Sequence, residues 1–242
     1  MRRLVIVYVL LAASPAFAGL FEHEVKPSDL DGIHRMAVHV RLGDTFHANF
    51  VGTTVFTNKV FDVPVPQWGI DSYTTGQIVE AMNVRGRFPA ETLDVSHLNV
   101  QALYHKRGAI LGSREVEATL LEQAKQQGAD ALMVVEMVEP GENFRFQSAG
   151  YGVFRKETFG LSMGCVYSSF NTVIFSVVTG KRLAWGGEPP CQASPHKPDK
   201  QDSWDKYSPE QQAAFETAVK DELRQKLLLR MSEYKLFKDS AP

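Results

Sequence analysis

Residues 114–135 read REVEATLLEQAKQQGADALMVV, and this stretch sets the fold class. Val116, Leu120, Leu121 and Ala124 recur at helical spacing, which predicts an amphipathic helix from Arg114 to Gln127. Ser113 precedes it, and Gly128 follows as the residue that ends a helix in a left-handed conformation. The run Ala131 to Val135 is apolar without alternation, as in a strand buried on both faces. A helix feeding a doubly buried strand is the signature of an α/β domain with a mixed sheet and flanking helices.

Downstream, the chain from Phe159 to Trp185 is strongly β in character. Val173, Phe175 and Val177 alternate with Thr172, Ile174 and Ser176, and Thr179-Gly180 supplies a turn into a second strand ending at Trp185. Residues 186–207 form a Pro- and Gly-rich polar loop. Ser208-Pro209-Glu210-Gln211 is a capping box with proline in the first helical position. Phe215, Val219, Leu223, Leu227 and Met231 then fall at four-residue steps, which predicts a C-terminal amphipathic helix laid on the sheet.

Upstream, residues 35–56 read RMAVHVRLGDTFHANFVGTTVF, and Gly43-Asp44 suits a tight turn. The expectation is an N-terminal β-hairpin in which Leu42 faces Thr45 and Val40 faces His47. Met36, Val38, Val40, Leu42 and Val51 would then share a core face. A further strand through Val60 to Val65 is restricted by Pro64 and Pro66 to an edge or an extended loop. Asp71 is a candidate N-cap for a helix carrying Ile78, Val79 and Met82 that ends at Arg85-Gly86. Phe88 to Val95 predicts a short strand, and Asn99 to Lys106 a helical turn or two.

The N-terminus, MRRLVIVYVLLAASPAFAG, has a basic start at Arg2-Arg3, an apolar run from Leu4 to Ala13 and a small-x-small site at Ala16-Phe17-Ala18. This pattern predicts a signal peptide over 1–18, cleavage after Ala18, and an exported periplasmic domain over 19–242. Ser14 stands where a lipobox would carry its cysteine, so no lipid anchor is expected. No later apolar run is long enough for a membrane helix.

The chain carries 26 basic and 28 acidic residues, and loss of Arg2 and Arg3 takes the net charge from −2 to −4. That balance argues against a nucleic-acid partner, which requires clustered positive charge. Cys165 and Cys191 are the only cysteines, and in an oxidising compartment an even pair predicts one disulfide.

Gly160-Leu161-Ser162-Met163-Gly164 matches the spacing of a serine-hydrolase nucleophile elbow, with Glu188 and His196 downstream in triad order. The elbow needs a helix after the serine, whereas the residues after Ser162 are β-branched and aromatic. No catalytic residue is therefore assigned, and a secreted hydrolase using Ser162 stands as the alternative. His39 and His47, on opposite faces of the expected hairpin, form no metal site, and neither Glu22-His23-Glu24 nor His97 and His105 completes a zinc motif. Gly150-Tyr151-Gly152 lacks the third glycine of a dinucleotide fingerprint, so no cofactor is expected.

Aromatic and basic residues interleave between Asn143 and Phe159. Phe144, Phe146, Tyr151, Phe154 and Arg155 are the candidate binding residues, because exposed aromatics and arginine anchor interfaces. The competing reading is a pair of twisted strands whose aromatics pack inward. If exposed, the segment offers a sheet edge to an extended peptide.

The buried strand after Gly128-Ala129-Asp130 and the late Thr179-Gly180 turn resemble the α/β domains of curli-secretion channel lipoproteins and of penicillin-binding-protein activator lipoproteins. Leu42-Gly43-Asp44, Gly52-Thr53-Thr54-Val55-Phe56 and Trp68-Gly69-Ile70-Asp71 are similar to an uncharacterised exported bacterial family. The resemblance implies a non-enzymatic envelope protein that binds an envelope protein or peptide.

Overall fold

The computed structural model describes residues 25–98, 113–137, 150–159, 161–187 and 199–238. The signal segment, Asn99 to Lys106, Phe144, Phe146, Glu188, Cys191 and His196 lie outside the described residues.

Among the described residues, eight strands form one mixed, curled sheet: β1 (Met36–Arg41), β2 (Thr45–Val51), β3 (Lys59–Pro64), β4 (Ala90–Thr92), β5 (Ala131–Met137), β6 (Gly150–Thr158), β7 (Leu161–Ser176) and β8 (Arg182–Gly187). Their spatial order is β3-β2-β6-β7-β5-β1-β4, with β8 paired to β7. Among the described residues, three α-helices pack against it: α1 (Ile70–Arg85), α2 (Arg114–Gln126) and α3 (Pro209–Glu233). The chain is a single α/β domain with the expected C-terminal helix, and β8 extends the late hairpin two residues into the expected loop, to Gly187.

The long strand β7 joins the two halves of the sheet. Leu161–Ser169 pairs antiparallel with β6, and Phe170–Ser176 pairs antiparallel with β5. Side-chain alternation then divides the core. On one face, Phe46, Phe50, Val153, Phe170 and Ile174 pack with α1 and α3 around Trp68, Phe215 and Leu223. On the other, Leu132, Val134, Val173 and Phe175 pack under Val116, Leu120 and Ala124 of α2. A third cluster, Val51, Phe154, Cys165 and Tyr167, lies on that second face further along the sheet.

The N-terminal hairpin is not formed at Gly43-Asp44. β1 pairs in parallel with β5 and β4, whereas β2 pairs with β3 and β6, so consecutive strands enter opposite halves of the sheet. The reason is a long-range anchor. Asp71 Oδ1 accepts hydrogen bonds from Leu42 N at 2.7 Å and Gly43 N at 3.1 Å. Tyr151 Oη donates to Gly43 O at 3.1 Å, and Val65 N donates to Asp44 O at 2.6 Å. With these groups engaged, the turn cannot close β1 onto β2, and Gly43 sits at φ +78°, a value that favours glycine. The antiparallel N-terminal hairpin is instead β2–β3, and Val51 packs apart from Met36, Val38, Val40 and Leu42.

Asp71 is accordingly not the N-cap of α1, whose N-cap is Gly69 in a left-handed conformation. Burial raises the Asp71 carboxyl above its ordinary pKa, against the lowering effect of the two backbone amides. Asp130, from the Gly-Ala-Asp segment, has a comparable tethering role. Its Oδ2 accepts from His34 N at 2.8 Å and Arg35 N at 3.1 Å, fixing the entry to β1 beside β5.

Helix α3 begins as its sequence dictates. Ser208 Oγ accepts from Gln211 N at 3.3 Å, and Gln211 Oε1 accepts from Ser208 N at 2.9 Å. All five residues of its predicted stripe are buried. Two buried cations on the helix serve the sheet backbone, with Lys226 Nζ donating to Ser168 O at 2.7 Å and an Arg230 guanidinium nitrogen donating to Gly187 O at 3.2 Å. Lys226 also pairs with Glu222 at 2.9 Å, which offsets part of the cost of burying its charge.

Candidate functional site

Ser162 is the second residue of β7 and pairs with Glu157 across the β6–β7 hairpin. The backbone stays extended from there to Ser176, so the sharp strand-to-helix turn of a nucleophile elbow is not present at Ser162.

His39 and His47 do not lie on opposite faces of one hairpin, because β1 and β2 are not neighbours. Alternation through the intervening strands puts both on the same face of the sheet, separated by β5, β7 and β6. His47 Nδ1 lies 2.7 Å from Asp62 Oδ1, its cross-strand partner on β3. His39 is buried on β1, and burial with the nearby Arg41 charge pushes its pKa down to about 4. Among the described residues, no three His, Cys, Asp or Glu side chains gather at metal-binding distance.

The candidate binding segment resolves differently from the exposed-anchor expectation. Tyr151 and Phe154 are buried in the core, in two different clusters. Arg155 is only partly exposed and pairs with Glu157 at 2.8 Å. β6 is not an edge, since β2 lies along one side and β7 along the other. Peptide addition at β6 is therefore blocked, as it requires unpaired backbone groups. The inward-packing alternative describes Tyr151 and Phe154. Gly152 shows how close the strands are, because a Cβ there would meet His47 O at 1.9 Å.

What reaches solvent is the end of that hairpin. Thr158 pairs with Leu161, and Phe159 follows Thr158 at the end of the hairpin. Phe159 is 89% exposed and adopts φ +45°, the left-handed region that a bulky side chain disfavours. Leu161 is 79% and Met163 50% exposed on β7. The turn between β2 and β3 lies alongside, with Thr53 Oγ1 donating to Glu157 O at 3.4 Å, and it carries Phe56 at 93% exposure. Two neighbouring turns thus present aromatic and aliphatic side chains at one end of the sheet.

Sequence reasoning included Phe159 in the aromatic segment but singled out its buried neighbours. Alternation alone gives Leu161 and Met163 the pattern of a half-buried strand. The usable signal is a phenylalanine where a tight turn calls for asparagine or aspartate.

Charged groups surround this tip. Arg155 pairs with Glu157, and Lys59 Nζ lies 3.4 Å from Asp202 Oδ1. Lys200 Nζ donates to Thr57 O at 3.1 Å beside Phe56, and Lys156 is the cross-strand partner of Met163. The arrangement can bind, by apolar contact and positive charge, but it contains no nucleophile–base pair among the described residues.

No family model matches the chain, and a search of curated proteins finds no match either. Solved structures similar to it include the LpoB C-terminal domain from Salmonella enterica, with 12% identity, 67% of this chain and 87% of that one covered, and a TM-score of 0.29. Protein XCC0632 from Xanthomonas campestris has 13% identity over 83% of this chain and 84% of that one, with a TM-score of 0.37. Lipoprotein GNA1162 from Neisseria meningitidis has 10% identity over 82% of this chain and 98% of that one, with a TM-score of 0.32. These neighbours fit the loose resemblance to bacterial envelope α/β proteins. At such identities and scores they carry no argument about activity, partner or site. Among the described residues, no helix is long and apolar enough to cross a membrane.

Proposed function

We propose that the protein is a non-enzymatic, exported component of the bacterial envelope that acts as an interaction module. It docks on another envelope component, with an envelope protein or peptide as the partner class expected from the sequence resemblance. The observation that carries this reading is the solvent-facing apolar tip at Phe56, Phe159 and Leu161. Phe159 is the sharpest part of it. A bulky residue at positive φ costs about 1 kcal/mol or more, and this one recovers nothing by burial. Such an arrangement favours retention for contact with something outside the chain.

The reading includes residues 1–18 as a removed signal and a disulfide between Cys165 and Cys191. Burial of Cys165 and the lack of a free thiol among the described residues support the pairing. A bridge of that span stabilises by roughly 3 kcal/mol on the chain-entropy account.

Affinity capture from native envelope extract tests the docking, comparing wild type with the Phe159→Ser, Leu161→Ser double variant. The expected result is a component retained by wild type and lost by the variant, with the two proteins melting at similar temperatures. Identical captured material from both proteins would remove the tip from the account.

A further inference from the structure

We infer that the tip docks on the anionic surface of a lipid bilayer. This rests on the docking reading above but puts a lipid surface in place of the protein or peptide expected there, which becomes the outcome left if vesicles bind nothing. The shape of the site argues first. Phe56, Phe159 and Leu161 stand on two adjacent turns and project outward at 93%, 89% and 79% exposure, rather than lining a groove. A protein partner is recognised through matched, close-packed surfaces. Separate apolar prongs suit a medium that yields around each one, and aromatic rings partition well to the level of lipid headgroups.

Charge argues second and independently. Of the acidic groups at this end, Glu157 is matched by Arg155 at 2.8 Å and Asp202 by Lys59 at 3.4 Å, while Asp199 accepts from Gln211 Nε2 at 3.3 Å. Lys156 and Lys200 have no ion-pair partner among the described residues, and with Asp199 counted against them the tip keeps a net positive charge on a chain whose formal charge is −2. Both sit at the apolar prongs, Lys200 through its hydrogen bond to Thr57 O and Lys156 opposite Met163. A net negative molecule is repelled by an anionic membrane unless a local positive patch faces it, and this patch does so at the same end as the prongs. A second copy meeting the first tip to tip would bring the unmatched lysines against one another, which disfavours self-association here.

Vesicle flotation of the exported protein tests the inference. Vesicles of phosphatidylcholine mixed with phosphatidylglycerol should carry the protein, and phosphatidylcholine alone should carry far less. Binding should fall as salt rises. The Phe159→Ser, Leu161→Ser variant should stay at the bottom of the gradient. Lys156→Gln and Lys200→Gln, both conservative surface changes, should each weaken binding about fivefold, the equivalent of roughly 1 kcal/mol per basic residue at an anionic surface. The absence of flotation with either vesicle, or equal flotation with both, would overturn the inference. If capture from envelope extract still depends on the tip while vesicles bind nothing, the lipid surface is wrong and the docking reading stands. If neither depends on the tip, both fail.

Discussion

Apolar residues recur two apart at both ends of β7, Leu161 and Met163 at one and Val173 and Phe175 at the other, and they meet opposite fates. From Phe170 to Ser176 the strand is layered on both faces, with Phe170 and Ile174 toward α3 and Val173 and Phe175 toward α2. At Leu161 and Met163 the same alternation runs out into solvent. One end holds the fold together. The other is held by its ladder to β6 and presents apolar side chains outward, so the apolar residues of one strand divide between core and, on the proposed reading, contact.

The largest effect that could break this comparison is at the layered end. Phe170→Ala should lower unfolding stability by about 3–5 kcal/mol, the cost of removing a fully buried aromatic from a packed core. Denaturant midpoints measure it, and a small loss would mean that the strand is not layered as described.

Next in size is the pH response of the buried half. The folded-state pKa of His39 is depressed from 6.5 to about 4 by burial and by Arg41. The unfolded chain therefore binds the proton first, so the stability contribution is present above pH 6.5 and is lost as pH falls toward about 4. That window corresponds to about 3 kcal/mol at 1.36 kcal/mol per pKa unit. His39→Gln should flatten the stability profile across it, as read from urea midpoints at a series of pH values. A variant whose acid sensitivity in that window equals the wild type's would place the acid loss elsewhere.

Phe159→Asn sharpens the comparison with a smaller effect of opposite sign. Asparagine tolerates positive φ, so the protein should gain about 1 kcal/mol while losing capture of its partner. Loss of stability instead would show that the ring makes contacts within the chain. Smallest of all, Leu161→Ser should change stability by less than about 0.5 kcal/mol, as expected for a surface site. A loss comparable to that of Phe170→Ala would mean that the tip is covered.

The legible parts of the fold were those written in local sequence. The helix ending at Gly128, the doubly buried β5, the β7–β8 hairpin and the Ser208 capping box all follow from periodicity and caps within a few residues. Pro64 and Pro66 leave an edge strand or an extended loop open, and β3 is the edge strand. The Gly43-Asp44 hairpin misled because its geometry is set by Asp71, 29 and 28 residues away from its Leu42 and Gly43 donors. No short-range turn rule contains that anchor.

The binding segment was half legible for a related reason. Tyr151 and Phe154 read as exposed anchors beside a free sheet edge, but packing on the two faces of β6 buries them in separate clusters, and the closure of that edge depends on where β2 goes after leaving β1. Phe159 belonged to the same aromatic run, but its role emerges only from its turn position and its φ of +45°.

The most direct measurement is site-specific photo-crosslinking in intact cells from two equally bare positions at different turns. A photoreactive residue replaces Phe159, 89% exposed at the β6–β7 turn, or Val178, 82% exposed at the β7–β8 turn. The account predicts adducts to an envelope component from position 159 and none from position 178. No adduct from 159, or equal adducts from both, would contradict the claim that this tip is the docking surface.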